Sequence, residues 1–357
     1  MKKLQFVTVV LTCMALISAC GGTPPAPVVI TSAPVVVTAP PVVVTSAPVV
    51  VTAAPDMTGG EIAVIVKTGN SSFWQNVQTG AFAAQKELQA TTPKLSVTFL
   101  GAQSESNVNE EINIVESAID RGVRAIVLAP SDVTALQPAV KKAKDAGIPV
   151  IIIDSKLNGD PSQYVSFLAT DNKAAGEACA KQMIDLLTKA GKTEGKIQVM
   201  SYVAGVGSEV GRVGGFTDYI KANSKFTLLE TQYSNSDMPT ALNQTTNVLA
   251  ANPDLVGIFG ANEPTAVGMG RAIAQAKLAG KIVAIGFDGN SALAGFVKDG
   301  TLQAIAVQSS FNMGYLGVKT AYDVAFNAKT VPATVDTGFL MVTKDNIDSQ
   351  DAKNVLY

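Results

Sequence analysis

The stretch Gly147-Ile148-Pro149-Val150-Ile151-Ile152-Ile153-Asp154 decides the fold. Gly and Pro punctuate its start, four β-branched residues follow, and a carboxylate closes it, which predicts a short strand that delivers an acidic side chain to a loop. The segment before it, 133–146, has helical apolar spacing, and the segments after it predict a strand at 164–168 and a helix at 171–190. The same alternation continues outward in both directions from residue 61. Further strands are predicted at 61–67, 95–100, 124–128, 196–203, 226–232, 255–259, 282–286 and 303–307. Further helices are predicted at 73–90, 107–121, 210–223, 238–251, 264–276, 290–299 and 310–326. Such alternation is the pattern of an α/β chain with parallel sheets covered by helices. Ten strands in about 295 residues exceed one parallel sheet of ordinary size, so two doubly wound lobes with a cleft between them are expected.

Composition narrows the chemistry. The 357 residues include no histidine, which removes the Ser-His-Asp triad, the Cys-His pair and imidazole zinc sites. With 27 basic against 29 acidic side chains, net charge −2, there is no basic stripe to neutralise phosphates, so no nucleic-acid partner is expected. No calcium-loop pattern and no clustered cysteine pair are present, so neither metal nor cofactor is expected. The acidic groups Glu105, Glu110 and Glu111, and Asp345, Asp348 and Asp351 near the C-terminus, are expected to be solvated.

The N-terminus predicts export. Lys2 and Lys3 precede an apolar run from Phe6 to Ile17 that is too short to span a bilayer, so residues 1–19 are expected to form a signal peptide. Leu16-Ile17-Ser18-Ala19-Cys20 resembles a bacterial lipobox, which implies lipidation of Cys20 and anchoring to a membrane face. Residues 20–59 are then the lipidated cysteine and a tether. Within it Pro27-Val28-Val29-Ile30-Thr31 recurs as Pro-Val-Val-Val-Thr at 34, 41 and 48. Proline in every repeat excludes a coiled coil, and an extended tether of about 3.1 Å per residue would reach roughly 100 Å. With Cys13 lost and Cys20 lipidated, only Cys179 remains in the folded part, on a helical segment, where a buried thiol is expected.

Ligands of open parallel sheets meet the loops at the carboxyl ends of strands. Those loops carry Lys67, Phe73 and Trp74 after the first strand, Asp154 after 148–153, and Arg212 beyond 196–203. They carry Asn262 after 255–259, Asp288 after 282–286, and Gln308 after 303–307. Any one of these is more simply a helix cap or turn former. Six recurrences predict a shared site in which charged and amide groups bond vicinal hydroxyls and aromatic faces pack on a sugar ring.

Residues 60–345 resemble the ribose-type periplasmic sugar-binding proteins of ABC transporters. The resemblance is carried by Ala63 to Trp74, Gly147 to Asp154, Ala169-Thr170-Asp171-Asn172, Gly211 to Phe216 and Ile285 to Gly289. It implies two lobes joined by three crossings near Thr170, Gln308 and Thr337, with one lobe from 60–170 plus 309–337 and the other from 171–308 plus 338–357. It implies that Phe73 and Trp74 sandwich a sugar ring with help from Phe287, and that Asp154 and Asp288 accept its hydroxyls. Arg212, Asn262 and Gln308 match the family's donor positions, and Lys67 is similar to a lysine of allose- and arabinose-type members. Ser71 and Ser155 stand where ribose binders carry asparagine and arginine, which implies a sugar other than ribose. The implied function is an extracytoplasmic, lipid-anchored monomer, not an enzyme, that captures a monosaccharide by hinge closure and delivers it to an ABC permease.

Three other functions are weighed. A sensor presenting sugar to a membrane receptor would use the same cleft. A nucleotide-dependent oxidoreductase is suggested by Gly205-Val206-Gly207 with Gly211 after a strand, and by Glu230 about twenty residues on. The spacing departs from the common fingerprint, however, and the turn follows five earlier strands. A sugar-responsive repressor would need a DNA-reading helical domain where the signal and tether stand.

Overall fold

The computed structural model describes residues 59–357; the predicted signal segment, the lipidation site Cys20 and nearly all of the tether lie outside the described residues. Within them the chain forms two sheets. The first contains β1 (Gly60–Val66), β2 (Leu95–Gly101), β3 (Ala125–Leu128), β4 (Val150–Ile153), β5 (Ser166–Ala169) and β12 (Thr334–Asp336), in the order β12-β5-β4-β3-β1-β2. The second contains β6 (Lys196–Ser201), β7 (Thr227–Leu228), β8 (Gln232–Tyr233), β9 (Leu255–Gly260), β10 (Val283–Phe287), β11 (Ala304–Gln308) and β13 (Phe339–Thr343). Its order is β13-β11-β10-β9-β6-β7, and β8 also pairs with β6. All pairings are parallel except that of β11 with β13. Leaving aside the end strands β12 and β13, the two sheets repeat one winding order, and each reverses direction between two strands, β1 and β3 in one and β6 and β9 in the other. Such reversals open a crevice at the strands' carboxyl ends.

The helices are α1 (Ser72–Leu88), α2 (Val108–Asp120), α3 (Gln137–Asp145), α4 (Asn172–Lys189), α5 (Gly207–Asn223), α6 (Met238–Ala251), α7 (Glu263–Gln275), α8 (Ser291–Asp299), α9 (Ser310–Asn327) and α10 (Gln350–Val355). They form where the sequence supplies both an apolar stripe and a stop signal. In α1, Trp74, Val77, Ala81, Ala84 and Leu88 repeat at helical spacing and are buried on the first sheet, and Ser71 caps the N-terminus through the Trp74 N–H. Strands β3, β4 and β10 are buried along their whole length, because helices cover both faces.

The chain passes between the sheets three times: from β5 into α4, from β11 into α9, and from β12 into β13. The first and third passages are tied together, since Thr337 N–H donates to the Ala169 carbonyl at 2.9 Å and Thr170 Oγ1 donates to the Gly338 carbonyl at 3.1 Å.

Strands β12 and β13 and helix α10 were not expected. β12 has three residues, too few to carry a pattern, and β13 is only partly buried along most of its length, so its alternation is weak. The single strand expected at 226–232 divides into β7 and β8, which pair with different stretches of β6. Cys179 is fully buried, and burial pushes its thiol up to about 12. Asp345, Asp348 and Asp351 are exposed, but Glu105 and Glu111 are buried, against expectation. Glu111 sits under the β3–α3 loop, where its carboxylate accepts the Ser131 N–H at 2.9 Å and the Ser131 hydroxyl, and burial pushes it up to about 7.

Candidate functional site

The loops at the carboxyl ends of both sheets surround one cavity. Nine of the eleven residues predicted to meet a ligand line it: Lys67, Ser71, Phe73, Trp74 and Asp154 from the first lobe's loops, and Arg212, Asn262, Asp288 and Gln308 from the second. The other two stand just behind the wall. Ser155 accepts from Lys67 Nζ at 2.8 Å and so positions that ammonium. Phe287 is fully buried with the Arg212 guanidinium 3.6 Å above its ring, so its face is covered by Arg212 and does not reach the cavity.

Each lining group is held by its element. Lys67 follows β1 and forms a buried ion pair with Asp154, Nζ to Oδ2 2.6 Å. Arg212 on α5 donates to the Ala261 carbonyl at 2.6 Å and to Asn172 Oδ1 at 2.6 and 3.1 Å, which fixes its plane on Phe287. Asn262 caps α7 through the Thr265 N–H and turns its amide nitrogen to Ser236 Oγ at 3.0 Å. Asp288 accepts the Glu263 N–H at 2.9 Å and Gln308 Nε2 at 2.8 Å, and burial raises it to about 6 against the opposing pull of Arg212. Gln308 Oε1 is buried with no partner, an acceptor open to a donating ligand.

Asp154 and Asp288 are counterparts: one ends β4, the other β10, strands that occupy the same place in the two winding orders. Both have left-handed backbones, φ +61° and +73°, a strained conformation for aspartate that aims each carboxylate into the cleft. Phe73 and Trp74 meet edge to face, centroids 4.8 Å and planes 89° apart, so these two rings do not present parallel faces to a ligand.

Five further residues line the cavity that were not expected there: Glu105, Tyr202, Ser208, Glu263 and Pro264. Two of them bridge the lobes. Glu263 Oε2 accepts the Phe73 N–H at 2.7 Å while Oε1 accepts Asn290 Nδ2 at 2.9 Å, and burial pushes this carboxyl up to about 7. Glu105 Oε1 accepts Trp74 Nε1 at 2.8 Å and Oε2 accepts the Ser236 hydroxyl at 2.6 Å. The strand-end rule could have found both, since Glu105 lies in the loop after β2 and Glu263 opens α7 just after β9.

The glycine turn after β6 is already occupied. Gly205, at φ +82°, donates its N–H to Glu209 Oε2 at 3.2 Å, and the Ser208 N–H at the start of α5 donates to Ser155 Oγ at 3.3 Å. A pyrophosphate would have to displace a carboxylate from this helix end. Among the described residues no group of His, Cys, Asp and Glu could hold a metal ion.

A family profile described as periplasmic binding protein domain matches residues 62–329. The chain belongs to this family. Curated relatives of this periplasmic binding protein include the D-allose-binding periplasmic protein of Escherichia coli, 29% identical over 79% of this chain and 90% of that protein. The ribose import binding protein of the same organism is 31% identical over 79% of this chain and 90% of its own length. Among solved structures, an ABC transporter solute binding protein from Agrobacterium vitis with bound D-fucose is 62% identical, with TM-score 0.80, covering 84% of this chain and 100% of that one. A carbohydrate transporter solute binding protein from Agrobacterium radiobacter in complex with D-arabinose is 36% identical, with TM-score 0.80, covering 85% and 100%. The family is one of binding proteins, which accords with a site built from hydrogen-bonding groups that are already mutually engaged.

Proposed function

We propose that this chain is an extracytoplasmic receptor, anchored through a lipid on Cys20, that closes its two lobes on one monosaccharide and presents it to an ABC permease. The observation that carries the proposal is the convergence of nine expected residues, from loops far apart in sequence and from both sheets, on one cavity. The cavity's inventory supports a polyhydroxylated ligand. Carboxylates at Asp154 and Asp288 and the unpartnered Gln308 oxygen accept hydroxyl protons, Asn262 and Arg212 donate, and the Phe73 and Trp74 rings cover apolar C–H surface. The names of the relatives favour an aldopentose or aldohexose. In this proposal the lobes are 60–170 with 309–337 and 171–308 with 338–357, and the three passages between the sheets act as the hinge.

Trp74 is the chain's sole tryptophan and lines the cavity, so it reports on ligand directly. Titration with D-fucose, D-arabinose, D-allose and D-ribose should change its fluorescence for at least one of them. Asp288→Ala should weaken that binding by about a hundredfold or more, the loss of a charge-assisted contact that also frees Gln308, while the protein stays folded at a melting temperature a few degrees lower. A flat response to all four sugars would remove the proposal.

A further inference from the structure

A second chamber, open to solvent, adjoins the cavity, and the two share a wall made of Ser71, Glu105, Glu263 and Pro264. The wall is closed by the lobes themselves. From the second lobe, Asn262 Nδ2 donates to Ser236 Oγ at 3.0 Å, the Ser236 hydroxyl donates to Glu105 Oε2 at 2.6 Å, and from the first lobe Trp74 Nε1 donates to Glu105 Oε1 at 2.8 Å. Both oxygens of Glu105 are thus occupied by protein donors, which marks the residue as a bar across the opening more than a ligand contact. Ser236 reaches this position on a strained turn, since Asn235 and Ser236 have consecutive left-handed backbones at φ +54° and +57°. Strain of this kind persists where surrounding structure demands a particular side-chain placement. Behind the bar, the chamber is lined with hydrogen-bonding groups that include Thr68, Asn70, Gln103 and Arg271, a chemistry suited to hydroxylated ligands.

We propose that the Glu105–Ser236 bridge is a size gate that confines the cavity to one unsubstituted sugar ring, and that removing the bridge would admit a substituent on that ring, as in a glycoside or ether, to the chamber behind it. The inference rests on the sugar-receptor proposal above. It assigns ligand selection to two residues, one on each lobe, that do not need to touch the bound ring.

The test compares the wild-type chain with Ser236→Gly and Glu105→Ala. Glycine suits φ +57°, so the first variant removes the hydroxyl without disturbing the turn. Binding of D-fucose, D-arabinose, D-allose and D-ribose is measured beside that of their methyl glycosides and mono-O-methyl ethers. The quantity read is the ratio of Kd for each derivative to Kd for its free sugar. In the wild-type chain the derivatives should bind at least about tenfold more weakly, the scale on which a pocket rejects one extra carbon, and in both variants that ratio should fall about tenfold for the regioisomer whose oxygen faces the gate. Ratios unchanged in both variants for every derivative, or wild-type ratios near one throughout, would overturn the gate while leaving the sugar receptor intact. If none of the four free sugars binds the wild-type chain, the receptor proposal falls and the gate falls with it.

Discussion

Glu111 is a buried carboxylate outside the ligand cavity, and its surroundings give it a measurable signature. Burial raises it to about 7, opposed by its bonds to Ser131 and by the charge of Lys67. A carboxyl raised in the folded state keeps its proton where the unfolded chain has released it, so between about pH 4.5 and about 7 folding takes up a proton and stability falls as pH rises, by about 1.4 kcal/mol per pH unit per group. Glu263, raised to about 7, and Asp288, raised to about 6, act in the same direction. Glu111→Gln should therefore flatten the decline in melting temperature between pH 5 and 7 by about one proton's share, leaving that of the other two. An identical slope in the variant would show that Glu111 does not hold its proton. At this scale the residues that end strands with a polar group are legible in the sequence, because a strand of β-branched residues marks its own end. Glu105 and Glu111 are not, since an acidic residue near a helix start has the same local pattern whether solvent, the opposite lobe (Glu105) or a loop of its own lobe (Glu111) lies above it.

The helix pairs α1–α9 and α4–α5 are packed closely enough to require glycine. A Cβ on Gly314 would lie 1.9 Å from the Val77 carbonyl oxygen, and one on Gly176 would lie 2.0 Å from that of Arg212. The Gly176 contact lets α4 support α5 directly beneath Arg212. Gly314→Ala should force α9 away from α1 and destabilise the fold by about 1–3 kcal/mol, read as a melting temperature several degrees lower. Gly295→Ala is the opposite case: Gly295 lies in α8 on an ordinary helical backbone with nothing near its missing Cβ, so alanine there should stabilise by about 0.5–1 kcal/mol. Equal effects from the two substitutions would mean that helix propensity, not packing, governs both. The elements bounded by Gly, Pro and capping residues were legible within a few residues, α6 at both ends. The return strands β12 and β13 were not, because short or half-buried strands take their existence from pairing partners distant in sequence.

For the whole molecule, the bridges at Glu105 and Glu263 and the paired passages at Ala169–Thr337 and Thr170–Gly338 describe two lobes that meet on one side and are joined on the other. If these passages hinge, small-angle scattering should report a smaller radius of gyration with a saturating sugar than without it, and an unchanged radius would rule out closure as the response to ligand. The two-lobed architecture was legible from the number of strands alone. That the cleft would be crossed by two carboxylate bridges was not, since such contacts exist only once both halves are assembled. Asp154 and Asp288 occupy matching places in the two windings, so a guest between them faces two like jaws of the same hand that by themselves cannot tell its head from its tail. Orientation must come from the unequal flanks, a compact ammonium at Lys67 on one side and a planar guanidinium at Arg212 on the other. Exchanging the characters of those two cations would ask the receptor to hold its guest the other way round.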